Sequence, residues 1–173
     1  GAEVTLVSGP VTLHTVHPHI HRIDVESAAE MHQAAAEAFK EADAGILCAA
    51  VADFTPEQVA SQKIKREKDD LVLRLKPTCD IAASLGKEKR PGQVLVGFAL
   101  ETCDEVNHAQ DKLARKNFDF IILNSLNDKG AGFRCDTNKI TIIDRSEAVS
   151  YPLKSKKEVA EDIVDKLSSL FHS

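Results

Sequence analysis

Two groups of side chains in this chain have the types and spacing to handle a charged small molecule. The first is the run Cys48-Ala49-Ala50-Val51-Ala52-Asp53-Phe54, with Lys63-Ile64-Lys65-Arg66 a short way downstream. Residues 45–51 read as a strand that ends in small alanines and then presents a carboxylate. In open α/β sheets ligands bind beyond the carboxyl ends of the strands, and small side chains let a ligand approach the backbone there. A carboxylate at that edge can hold a metal ion or a hydroxyl, and lysines can neutralise phosphate oxygens. Lys63 and Lys65, at alternate positions of an extended segment, point the same way and fit an anion clamp. The second group is Lys112 and Lys116, four apart on one face of a helix, which suits a polyphosphate. Each group also has a plain reading: a strand leaving the sheet through a charged loop, and a solvated lysine face.

Other chemistries find less support. His14, His17, His19 and His21 fall close together, but Pro18 interrupts them and no carboxylate or cysteine ligand sits among them. They read as an exposed loop or strand edge rather than a metal site. Cys48, Cys79, Cys103 and Cys135 form no Cys-x-x-Cys pair, so free thiols in a reducing cytoplasm are expected instead of disulfides or zinc. The loop around Gly130-Ala131-Gly132-Phe133 lacks the spacing of a dinucleotide fingerprint or a P-loop. That argues against an NAD-dependent oxidoreductase of similar topology. No nucleophile elbow supports a catalytic triad.

Elements able to position these residues can be read along the chain. Its 173 residues, 43% hydrophobic and 28% charged, suit one soluble domain spanning residues 1–173. A net charge of -5 argues against a general nucleic-acid binder. No apolar run is long enough to span a membrane. Strands are expected at 3–7, 22–25, 45–51, 94–99, 119–123 and 139–144, with 148–153 forming an edge hairpin. Ser27-Ala28-Ala29-Glu30, Thr102-Cys103-Asp104-Glu105 and Ser155-Lys156-Lys157-Glu158 have capping-box spacing and open three helices. A fourth helix is expected over 80–89. In the last helix Val159, Ile163, Leu167 and Leu170 should face inward. Residues 63–66 and 71–76 read as two extended arms around a polar turn, and 53–62 as a loop or short helix. Alternating strands and helices predict an α/β fold, a doubly wound and mostly parallel sheet with helices on both faces.

The ordered segments Val4-Thr5-Leu6-Val7-Ser8-Gly9-Pro10, Ala49 to Phe54, Lys63 to Arg66, Gly97-Phe98-Ala99-Leu100-Glu101-Thr102, Asp119-Phe120-Ile121-Ile122-Leu123-Asn124 and Gly132-Phe133 to Asn138 together resemble phosphopantothenoylcysteine synthetase. That family is the ligase half of the bacterial bifunctional coenzyme A biosynthesis protein. The resemblance covers essentially the whole chain and implies a Rossmann-like sheet. It also implies joining of 4'-phosphopantothenate to L-cysteine with CTP and Mg²⁺, through an acyl-cytidylate. Lys63 then matches the lysine implicated in forming the cytidylate, and Arg66 stands where the family's element ends in lysine. Cys48, Ala49, Asp53, Cys79, Asp80, Ile81, Ala82, Phe98, Lys112 and Lys116 fall on nucleotide-binding positions. Ala49 and Ala50 fall on substrate-binding ones, and Asp53 is a candidate magnesium ligand. Cys79 replaces a family proline, which favours backbone contacts at that site.

The resemblance further implies a homodimer built through the arm at 63–76, a cytoplasmic location and fusion to a flavin-dependent decarboxylase in the full-length protein. Family members begin with a strand, a glycine-rich turn and an Arg-x-x-Thr-Asn-x-Ser-Ser-Gly-like segment, none of which precedes Gly1. A chain ending there is expected to be a nucleotide-binding or dimerisation fragment with little activity; a longer one, an active ligase.

Overall fold

A computed structural model of the chain describes residues 1–65, 70–101, 104–125 and 136–171. Arg66, Thr102, Cys103, Cys135 and the Gly130 to Phe133 loop lie outside the described residues. The elements begin with β1 (Val4–Ser8), β2 (Ile20–Asp24), α1 (Ala28–Glu41), β3 (Ala44–Leu47), β4 (Phe54–Pro56) and β5 (Leu75–Pro77). They continue with α2 (Ile81–Glu88), β6 (Val94–Glu101), α3 (Glu105–Arg115) and β7 (Phe120–Ser125). β8 (Thr137–Asn138), β9 (Ile140–Asp144), β10 (Ala148–Ser150), β11 (Lys154–Ser155) and α4 (Lys156–Phe171) complete the chain. It divides into two compact units, Gly1–Glu37 with Ala49–Ile81, and Ala38–Cys48 with Ala82–Ser173.

In the first unit β1 and β2 pair in parallel, from Val4 with Ile20 to Ser8 with Asp24, as a two-stranded sheet. The connection between parallel strands usually carries a helix; here residues 9–19 make it without one. Backbone hydrogen bonds from Val4 to His19 (2.8 Å) and from Val25 to Ser8 (2.9 Å) close the two ends. α1 starts at the expected capping box. The Glu30 amide donates to the Ser27 hydroxyl (3.2 Å), and the Glu26 and Ser27 amides donate to the Glu30 carboxylate. Those amides hold the Glu30 carboxyl below its ordinary value.

The second unit contains a five-stranded sheet in the order β10-β9-β7-β6-β3. β3, β6 and β7 are parallel; β9 runs antiparallel to β7, and β10 returns beside β9 as the edge hairpin. Side chains alternate across the sheet. Val94, Val96, Phe120, Ile122, Ile140 and Ile142 on one face bury against Val159 and Ile163 of α4. On the other face a Cβ at Gly97 would stand 2.4 Å from the Phe118 ring, and one at Gly45 would stand 3.1 Å from Phe39. Helices therefore cover both faces, and β6 and β7 are buried on both sides as their unbroken apolar runs require. Each fully buried aliphatic or aromatic side chain contributes roughly 1.5–3 kcal/mol by leaving water.

Local chemistry sets the helix ends. α3 closes in a Schellman arrangement: Asn117 takes φ 54°, its amide donates to Ala114 (3.3 Å), and the Phe118 amide donates to Leu113 (3.0 Å). Gln93 is buried and donates from Nε2 to the carbonyls of Phe39 and Ala42, both at 2.7 Å. It thereby satisfies acceptors that the end of α1 leaves open. α4 opens at the expected box between Ser155 and Glu158.

Several sequence expectations are corrected. The strand expected over 45–51 stops at Leu47, because the Val51 amide turns back to the Ala49 carbonyl (3.1 Å) and leaves the ladder. α3 begins at Glu105 behind Asp104, in the left-handed region at φ 45°, and the Asn107 side chain donates to the Asp104 carboxylate (2.6 Å). Leu170 is exposed: it lies on the helix face of Val159 and Ile163 but near the end of α4, past the core cluster that those two join. Leu75 and Lys76 of the second expected arm pair, as part of β5, with β4, Phe54 opposite Pro77, and, among the described residues, 63–65 form no strand.

Candidate active site

At the carboxyl end of β6, Leu100 lies opposite Asn124 and Glu101 opposite Ser125, so β6 and β7 finish on one edge of the parallel sheet. The strand's alternation puts Phe98 on the α4 face, half-buried and packed against the core cluster. Glu101 falls on the opposite face, toward α3. Its carboxylate receives Lys112 Nζ at 2.5 Å on one oxygen, and His108 Nδ1 lies 3.5 Å from the other. The two α3 side chains are one turn apart, so the helix presents both nitrogens to one carboxylate. On the opposite face, at the same end of β7, the Asn138 side-chain amide donates to the Asn124 side-chain oxygen Oδ1 (3.0 Å). Lys116 is the half-buried C-cap of α3, and a Cβ at Gly86 would stand 2.0 Å from its carbonyl oxygen. Lys112 and Lys116 thus share a helix face but have different surroundings: one is held by a carboxylate, the other sits where α2 meets the end of α3. Cys48, just past β3, is exposed. Ala82 lies half-buried in the first turn of α2.

In the other unit, Ala49, Ala50 and Asp53 are exposed in the stretch that leaves β3. Thr78 anchors this stretch: its hydroxyl donates to the Ala52 carbonyl (2.6 Å) and its amide to the Asp53 carbonyl (2.9 Å). The pairing of β4 with β5 continues that contact. Residues 49–53 and 78–80, well separated in sequence, are therefore held side by side. Cys79 Sγ lies 3.7 Å from His32 Nε2, a partner that sequence reading passed over. Asp80 is exposed and Ile81 is buried. Lys63 and Lys65 are exposed and stand outside any ladder, so the argument from alternate strand positions does not apply to them. Among the described residues, the last backbone contact of the ribbon runs from the Glu57 amide to the Arg74 carbonyl (2.9 Å).

His19 and His21 approach the Glu3 carboxylate at 2.5 and 3.7 Å and are exposed. Among the described residues no group of three His, Cys, Asp or Glu side chains has a metal-holding arrangement.

Sheet, flanking helices and polar strand ends define an α/β protein built on a mixed, mostly parallel sheet. The chain belongs to the DNA/pantothenate metabolism flavoprotein C-terminal domain family, whose model matches residues 1–170. It is 42% identical to the coenzyme A biosynthesis bifunctional protein CoaBC of Bacillus subtilis, over 98% of this chain and 42% of that protein. Identity is 58% to a cysteine/cysteine sulfinic acid decarboxylase of an unknown prokaryotic organism, over 99% of this chain and 48% of that protein. The crystal structure of the C-terminal domain of CoaBC superimposes with a TM-score of 0.82 at 35% identity, covering 99% of this chain and 76% of that one. A DNA/pantothenate metabolism flavoprotein structure from Streptococcus pneumoniae shares the fold, with a TM-score of 0.80 at 24% identity, over 98% of this chain and 82% of that one. The chain spans less than half the length of these curated relatives and is homologous to the C-terminal portion of CoaBC.

Proposed function

We propose that the chain is the ligase portion of a coenzyme A biosynthesis protein, joining 4'-phosphopantothenate to L-cysteine at the expense of CTP. The observation that carries this reading is the match of nearly all of this chain to CoaBC in sequence and to its C-terminal domain in fold. In the first step the phosphopantothenate carboxylate attacks the α-phosphorus of CTP. Pyrophosphate leaves, taking the electron pair of the broken bond. In the second step the cysteine amine attacks the acyl carbon, CMP departs, and the amine proton passes to solvent or a base.

Charge builds on the leaving pyrophosphate, so fixed cations favour the first step. Lys63 is the proposed catalytic cation for cytidylate formation, and Lys112 and Lys116 are proposed to hold the nucleotide phosphates. Phe98, Cys48, Ala49 and residues 79–82 complete the nucleotide contacts, with Ala49 and Ala50 leaving room for the acyl substrate. Magnesium commonly binds through one or two carboxylates plus substrate phosphates. The exposed Asp53 carboxylate fits that donor pattern, and the ion would neutralise triphosphate charge. The exposed apolar side chains Leu71, Val72, Leu73 and Leu75 support a homodimer that covers the ribbon. The decarboxylase name of one relative supports fusion to a decarboxylase in a longer protein, working in the cytoplasm.

Incubation with CTP, Mg²⁺, 4'-phosphopantothenate and cysteine should release pyrophosphate, and Lys63→Gln should abolish that release with the circular dichroism spectrum unchanged. Full turnover in the variant would remove Lys63 from the mechanism. CTP binding without pyrophosphate release would instead favour the second reading, a nucleotide-binding and dimerisation module, which the exposed ribbon also fits.

A further inference from the structure

We propose that Glu101 is a positioning residue that fixes the Lys112 ammonium at the strand edge for a nucleoside triphosphate. The inference rests on the ligase reading of the same site. The Glu101 side chain is only 15% exposed, and a carboxylate so withdrawn from water needs charged or hydrogen-bonding partners. It finds Lys112 on one oxygen and His108 near the other, both from α3. The backbone leaves it little alternative, because Glu101 ends β6 on the face that α3 covers.

The consequence falls on Lys112. A free lysine carries four flexible torsions, and ordering them costs rotamer entropy. Contact with Glu101 meets that cost before any ligand arrives. Lys112 remains 34% exposed. An ammonium has three donors; Glu101 takes one and leaves two for phosphate oxygens. Glu101 also withdraws part of the positive charge. Its net effect on phosphate binding is therefore favourable only if placement outweighs that loss, and an already ordered cation aimed at the strand edge is the arrangement in which it does.

The test is a double-mutant cycle on the full chain, with CTP and magnesium chloride as the probe and titration calorimetry as the readout. Glu101→Gln preserves shape and removes the charge. It should weaken CTP binding about tenfold in the wild-type background and change it little in a Lys112→Met background. A purely structural role would lower the melting temperature while leaving CTP affinity unaltered, or would weaken binding equally in both backgrounds; either result overturns the proposal. Stronger binding in Glu101→Gln overturns it as well, since charge withdrawal would then outweigh placement. Should the wild-type chain bind no CTP, the ligase reading fails and this inference fails with it, a result distinct from the other three. Glu101→Asp, which keeps the charge but shortens the reach, should recover only part of the affinity.

Discussion

Asp144 shows how a single carboxylate can stabilise this fold. Its partial burial disfavours the charge, but Lys166, the Ser146 hydroxyl and the Ser146 and Glu147 amides outweigh that and hold its carboxyl well below the usual carboxylate range. Lys166 donates at 2.7 Å from α4, and Asp144 raises its pKa in return. A depressed carboxylate contributes its full stability above the unfolded value of about 3.9 and loses it as pH falls toward the folded value. Asp144→Asn should therefore cost about 1–3 kcal/mol at pH 7. The gap from wild type should narrow in urea titrations near pH 3. An equal gap at both values would show that the charge is not what Asp144 contributes. Lys63 and Glu101 make different demands at this scale, since both are judged by ligand binding or turnover and not by stability.

Among the elements, β6 is the most constrained. It sits between β3 and β7, and Gly97 at its centre lets the Phe118 ring lie against the backbone. A methyl group there would overlap ring carbons, so Gly97→Ala should destabilise the fold by about 1–3 kcal/mol. The midpoint of urea unfolding measures this, and an unchanged midpoint would mean that Phe118 can swing aside. The apolar run of β6 announced the strand in the sequence, and capping boxes at Ser27 and Ser155 announced two helices, because those signals are local. The ribbon of β4 and β5 was harder to foresee. Its strands are three residues long, end in Pro56 and Pro77, and pair across a long stretch of chain. Neither carries a pattern that distinguishes it from a loop. Gln93 is similar: nothing in Pro91-Gly92-Gln93 shows that its amide will end α1. At the site, Ala49 to Asp53 and Lys112 stood out by type and spacing. The contacts of Glu101 with Lys112 and His108 became visible only when the end of β6 was set beside α3.

On the scale of the whole molecule, burial is uneven. Among the described residues, Val25 and Ile81 are the buried apolar side chains of the first unit, while the sheet unit buries most of β6, β7 and β9. Phe54, Ile64, Leu71, Val72, Leu73 and Leu75 stay exposed, apolar side chains of the kind that a second copy would cover. Sedimentation of the full chain should give twice the monomer mass, and Leu73→Asp should shift it to monomer; a monomeric wild type would exclude the proposed pairing. The division of the chain has one more consequence. The backbone passes between the units at 37–38, 48–49 and 81–82, so β3 belongs to the larger unit while residues on either side of its segment belong to the smaller. No single continuous cut can free one unit intact. A protein engineer seeking to isolate the sheet would have to remove residues 1–37 and also excise 49–81, rejoining Cys48 to Ala82.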